Sequence, residues 1–430
     1  MQINKLPLLF LTMACGPDYE IKGIKPDVDP GDVTDCAFTP ISGSQMSSYD
    51  CNPVFTNTGE SWGRDVGSVG FHVTEVLGHP FYQMWYTSSA TNSFGGVSMG
   101  YAVSSNGTDW TPHPSNPLMS SDPTGWDKDS IGSQVVLWDH IDQQYILAYQ
   151  GITLAGIWGL GIATSPDGVA WSKSPQNPVI DFTTYSLGEQ DLWNYFCSEF
   201  VSDSYICDIY GLSYSAFQPQ HNVSPCWPLS ITISERGSLR GYIAGSDARE
   251  AIQGVYNWAK LEQDLWDAMY TGAEVYLESG SNPASCQVYS MDGADANTWF
   301  LSEAAPVLPS GNSYDKKGVV AASVVEYTDP ETEQTTHYMF YAGFEEWLMF
   351  ESYNSSYKSS FNVATSTDGG VTWTKDPNNP IPINRTNPGE ISSVGAQVVG
   401  SRILLWVTDN YDGESAVGYY YYEPGIPAHP

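Results

Sequence analysis

The stretch Ala163-Thr164-Ser165-Pro166-Asp167-Gly168-Val169-Ala170-Trp171 places a polar turn between an apolar strand and a tryptophan. Ala102-Val103-Ser104-Ser105-Asn106-Gly107-Thr108-Asp109-Trp110 repeats it, and Ala364-Thr365-Ser366-Thr367-Asp368-Gly369 leads to Trp373 in the same way. Weaker copies run from Ser290-Met291-Asp292-Gly293 to Trp299 and from Ser234-Glu235-Arg236-Gly237 to Tyr242. Asp or Asn followed by Gly tolerates the positive φ of a tight turn, so each copy reads as a β-hairpin.

Around each hairpin the chain also repeats. Asn116-Pro117-Leu118, Asn177-Pro178-Val179, Ala305-Pro306-Val307 and Asn379-Pro380-Ile381 end an outer strand. Ahead of the hairpins stand aromatic strands closing on Tyr86, Tyr149, Tyr210, Tyr270, Tyr341 and, in the last unit, Trp406, at intervals of roughly 65 residues. Four innermost strands are plain: Val69–Val73, Ile131–Val135, Val320–Val324 and Val394–Val398. They alternate small and branched residues, as strands crowded around a central channel require. The last unit has no outer strand, whereas Asn52-Pro53-Val54-Phe55 supplies that pattern at the other end of the chain. An all-β, six-bladed β-propeller closed by the N-terminal strand is therefore expected over residues 45–423, with 424–430 as a tail. Ile252, Val255, Ala259, Leu265 and Met269 fall at helical spacing behind Asp247 and Glu250. The alternative is therefore a five-bladed propeller with an inserted helical segment in the middle third.

The chain has 430 residues and a net charge of -33, which repels phosphate backbones and argues against nucleic acid as a partner. Residues 1–15 pair one Lys with a short apolar run ending Ala14-Cys15, the pattern of a lipoprotein signal peptide with Cys15 as the lipidation site. A lipid-anchored bacterial envelope protein, at the outer membrane or cell surface, is expected, with residues 16–44 as an acidic tether. Cys36, Cys51, Cys197, Cys207, Cys226 and Cys286 remain, an even set suited to disulfides in an oxidising compartment. Cys36 with Cys51 is the expected pair, and three pairings stay open for the other four. No zinc spacing, H-E-x-x-H helix or phosphate-binding glycine loop occurs. No cofactor is required, and a structural Ca2+ is compatible with the acidic excess. A monomer is expected.

Loops feeding the innermost strands converge at the channel mouth, where a site is sought. Asp65, Asp127, Lys316 and Glu390 lie four residues before the inner apolar runs, and His72, Gln134, Ser323 and Gln397 lie three residues into them. Arg64 and Asp129 stand beside the carboxylates, and Trp126 and Trp193 are connecting-loop aromatics suited to sugar contact. An acid repeated at one blade position also has a plain reading, that it bonds turn amides in every blade.

The hairpins, the Asn-Pro endings and the Tyr-x-Gly strands together resemble the arabinanase, levansucrase and invertase type of propeller, glycoside hydrolase families 43 and 32. Ser366 to Trp373 also matches the Asp-box of sialidases, although no arginine cluster for a sialidase is evident. The resemblance implies a glycan-acting enzyme with a base or nucleophile on the first inner strand, a supporting aspartate on the second and an acid glutamate on the third. By position these roles fall to Asp65, Asp127 and either Glu189 or Glu199. A noncatalytic glycan-binding propeller is the alternative.

Overall fold

The computed structural model describes residues 36–56, 62–63, 65–89, 97–128, 130–152, 158–181, 223–234, 237–247, 287–302, 305–316, 318–348, 356–384, 391–411 and 414–429. They form five antiparallel sheets and no helix. The first blade comprises Val69–Val76, His79–Ser89, Val97–Ser104 and Thr111–Pro112. The second comprises Ser130–Asp139, Gln144–Ile152, Trp158–Ser165 and Ser172–Lys173, with Ile180–Asp181 pairing beside it. The third contains Val223–Ile233, Leu239–Asp247, Gln287–Asp295 and Thr298–Leu301, and the fourth Gly318–Thr328, Thr335–Leu348, Ser356–Ser366 and Thr374–Lys375. The fifth joins Ser393–Val399, Arg402–Tyr411 and Glu414–Tyr422 to Met46–Tyr49 and Phe38–Pro40. The first strand of each sheet packs against that of the next, and the fifth returns to the first, so the ring closes.

The propeller thus has five blades, which corrects the expected six and fits the alternative. The miscount arose in the middle third. Leu239–Asp247, carrying Tyr242, is the second strand of the third blade, and Ser234 and Gly237 flank the connection into it from Val223–Ile233 rather than an outer hairpin. Asp292-Gly293 likewise lies within a strand, and the turn falls after Asp295. The segments around Tyr210 and Tyr270, and the stretch at helical spacing beyond Asp247, lie outside the described residues.

Five apolar clusters fill the five gaps between blades, each drawing on two neighbouring sheets. Close approach explains the small residues of the inner strands. A Cβ on Gly395 would meet the Phe71 ring at 2.3 Å, and that ring stacks on Trp406 at 4.3 Å. Because neighbouring inner strands splay apart, they share no ladder, and serines bond backbone across the gap instead. Ser68 Oγ donates to the Gln134 carbonyl at 2.9 Å and accepts from Gln134 N–H at 3.0 Å. Ser230, Ser323 and Ser393 accept from Val324, Ala396 and Val69 in turn.

The outer hairpins fasten one blade to another. Asp167 accepts from the amides of Val169 and Ala170 at 2.9 and 2.8 Å, and the turn presents the Gly168 carbonyl to Trp85 Nε1 of the first blade at 2.7 Å. Gly107 and Gly370 present theirs to Trp406 and Tyr242. Each of these glycines has φ near +80°, between +78° and +79°, where a side chain would be strained.

Asn116, Asn177 and Asn379 each pair their side-chain amide with one backbone residue of the adjacent third strand. Asn52 does the same to Tyr419, at 2.7 and 3.1 Å, and Phe55 bridges Val417. The N-terminal segment therefore completes the last blade. A disulfide joins Cys36 to Cys51 within that N-terminal segment. Phe38–Pro40, within the stretch expected as a tether, is a strand of the sheet, paired with Met46–Tyr49. Cys226 lies in the first strand of the third blade, and Cys15, Cys197, Cys207 and Cys286 lie outside the described residues.

Candidate functional site

At the upper face, where loops feed the inner strands, Asp127 is 1% exposed and fully engaged. Its Oδ2 receives Lys173 Nζ at 2.6 Å and the Tyr149 hydroxyl at 3.2 Å, while Oδ1 accepts from Asp122 N–H at 3.2 Å. Asp315 repeats the arrangement in the fourth blade. It pairs with Lys375, accepts from Tyr341 at 3.2 Å, and takes the amides of Gly311 and Asn312. Burial and the adjacent carboxylate hold both tyrosine hydroxyls well above their ordinary range, so they remain donors at any working pH. A carboxylate bound this way fastens a blade corner. Asp127, expected as a supporting aspartate, has both oxygens engaged in this fastening.

The first blade departs from this pattern. Trp62 and Tyr86 crowd Gly100 as Trp126 and Tyr149 crowd Gly161, so Gly63 stands where the second blade has Asp127. Pro112 stands where that blade has Lys173, since each pairs with the corresponding alanine of its third strand, Ala102 or Ala163. Asp65 lies two residues beyond Gly63 with its side chain exposed, and its carbonyl accepts from Ser88 Oγ. Trp126, expected as a sugar platform, is half-buried with its ring filling the glycine slots at Gly151 and Gly161. Lys316 is exposed in the turn after Asp315. Arg64, Asp129, Glu189, Glu199, Trp193 and Glu390 lie outside the described residues; the third inner strand, expected near Glu199, is Val223–Ile233.

Within the channel, His72, Gln134, Ser323 and Gln397 do not form one layer. They face Gln83, Tyr149, Phe340 and Leu404 on their second strands, which sit at different heights. Bulges between Ile131 and Gln134 and between Val319 and Ala321 shift the register, a feature invisible to residue counting. Gln134 is 2% exposed, and it lines a constriction of about 10 Å³ with Ser392 and Ser393. His72, Ser323 and Gln397 line a wider cavity of about 610 Å³ toward the lower face, where the turns leave the inner strands. Sequence reasoning missed the rest of its rim. His337 lies 3.3 Å from Glu326, and Arg240 lies 3.1 Å from Asp292. The hydrogen bond from His337 holds Glu326 below the usual carboxylate range, and burial lowers His72 to about 4. Among the described residues no three His, Cys, Asp or Glu side chains gather as a metal site.

No family model matches the chain, and no curated protein does. Solved structures do. A glycosyl hydrolase from Bacteroides ovatus is 12% identical, with 93% of this chain and 97% of that chain covered and a TM-score of 0.50. A structure described under the GH130 family of mannoside phosphorylases, whose glycoside hydrolases target β-1,2 mannosidic linkages in Candida mannan, is 12% identical over 92% and 96%, with a TM-score of 0.49. A thermostable family-43 glycoside hydrolase is 15% identical over 87% and 98%, at 0.47. At such identities a likeness speaks for fold alone, and that fold is the β-propeller.

Proposed function

We propose that the protein is a glycoside hydrolase-like enzyme that acts on a polysaccharide or oligosaccharide through carboxylates at the upper channel mouth. The observation that carries this reading is the broken symmetry of the first blade. Where the second and fourth blades spend an aspartate and a lysine on fastening, the first has Gly63 and Pro112, and Asp65, two residues beyond Gly63, is exposed. Glycoside hydrolysis needs such asymmetry, because one carboxyl group must be an acid and another a base or nucleophile. Asp129 stands at the same offset from Trp126 as Asp65 does from Trp62, which makes it the first partner to test; Glu189 and Glu199 remain candidates for the acid. The acid must stay protonated near neutral pH, through burial or a neighbouring negative charge.

Reducing-sugar release from a broad polysaccharide panel tests the proposal. The wild type should cleave at least one glycan. A noncatalytic glycan-binding propeller is the second reading, favoured by the engagement of Asp127 with Lys173. Binding without cleavage across the panel would select it.

The protein is proposed to work as a monomer anchored to the bacterial envelope through Cys15, at the outer membrane or cell surface. Cys15→Ser should then release it from membranes, and unchanged fractionation would refute the anchor. No cofactor is invoked, and a structural Ca2+ is left to metal analysis of the purified protein.

A further inference from the structure

We propose that the lower half of the channel is a second carbohydrate site, a pocket that receives the end of a neutral saccharide. The inference takes its ligand class from the reading above but concerns a different place. The cavity of about 610 Å³ is of ordinary ligand size, and the constriction of about 10 Å³ at its inner end has room for about one water. The two spaces share Val69, Val135, Leu229 and Val394, so among the described residues the channel narrows beyond the cavity.

Its lining suits a sugar better than an ion. The inner strands contribute apolar walls, among them Val136, Leu229 and Val324, interrupted by Gln397 and by the half-buried indole of Trp138. Trp138 packs against Tyr145 at 4.7 Å and His72 at 6.0 Å, which holds it as a platform. The charged groups of the rim already have partners: Arg240 pairs with Asp292 and also donates to the Gly369 carbonyl, and Glu326 accepts a hydrogen bond from His337. His72 stays neutral at working pH because burial disfavours its cation. Sugars combine apolar C–H faces with a hydroxyl rim, and this pocket combines an aromatic platform and apolar walls with uncharged donors and acceptors.

Isothermal titration at pH 7 with arabinose-, mannose- and galactose-based trisaccharides tests the site. At least one should bind the wild type and bind Asp65→Asn equally well. Trp138→Ala and Gln397→Leu should each weaken binding by about tenfold, whereas Trp138→Phe, which keeps a ring and controls for folding, should retain most of it. Binding lost in Asp65→Asn but unchanged in the pocket variants would place the sugar at the upper mouth and overturn the inference. Absence of binding by the wild type would also overturn it, while polysaccharide cleavage by the same preparation would leave the proposed function standing.

Discussion

Lys173 and Lys375 follow the hairpin tryptophans by two residues, and they occur in the blades that carry Asp127 and Asp315. The first blade has neither partner. That internal covariation was present in the sequence, but only the pairing shows why it exists, since the aspartate and lysine lie on different strands. Removing one partner of a buried pair leaves an uncompensated charge. Lys375→Met should therefore destabilise the fold by about 3 kcal/mol, with Asp315 at 0% exposure left unpaired. Equilibrium denaturation measures this, and a change near zero would deny Asp315 its fastening role. His72 gives a second prediction. Burial lowers its folded pKa to about 4 from the ordinary 6.5, so below the latter the unfolded chain binds a proton that the folded chain refuses. Stability should fall as pH drops from about 6.5 toward about 4 and level off below, as far as this group is concerned. His72→Gln should flatten the profile between pH 6.5 and 4.5, and an unchanged slope would show that another group governs it.

At the scale of strands and turns, most of the architecture could be read in the chain. The hairpins at Asn106-Gly107, Asp167-Gly168 and Asp368-Gly369 were legible because a positive-φ glycine beside a side-chain acceptor has few other uses. The closing strand was legible because Asn52-Pro53 repeats the endings of the first, second and fourth blades. The third blade was not, since it lacks the Asn-Pro ending and its first turn imitates an outer hairpin. Closure can be tested directly. Asn52→Ala removes two hydrogen bonds to Tyr419 and should cost about 1 to 3 kcal/mol, similar to Asn177→Ala at its counterpart. The disulfide spans a sequence separation of 15, so Cys36→Ser with Cys51→Ser should cost about 3 kcal/mol more. If both changes left the denaturation midpoint unmoved, the N-terminal segment would not be what closes the ring.

Over the whole molecule, near-symmetry builds the ring, and departures from it mark where function is to be sought. Asp65 was singled out from the sequence by its distance to the inner strand, and so was Asp127. Counting could not separate them, because a bulge in the second blade and none in the first shifts their relative positions. Only the packing shows Asp127 closed in and Asp65 open. The comparison of Asp65→Asn with Asp127→Asn, assayed for polysaccharide cleavage per folded molecule, therefore tests the account most directly. Asp65→Asn should fold with wild-type stability and lose at least about a hundredfold in rate, as expected for an acid, base or nucleophile. Asp127→Asn should unfold more easily yet cleave at close to the wild-type rate while folded. Cleavage that survives Asp65→Asn, or vanishes in a fully folded Asp127→Asn, would contradict the assignment.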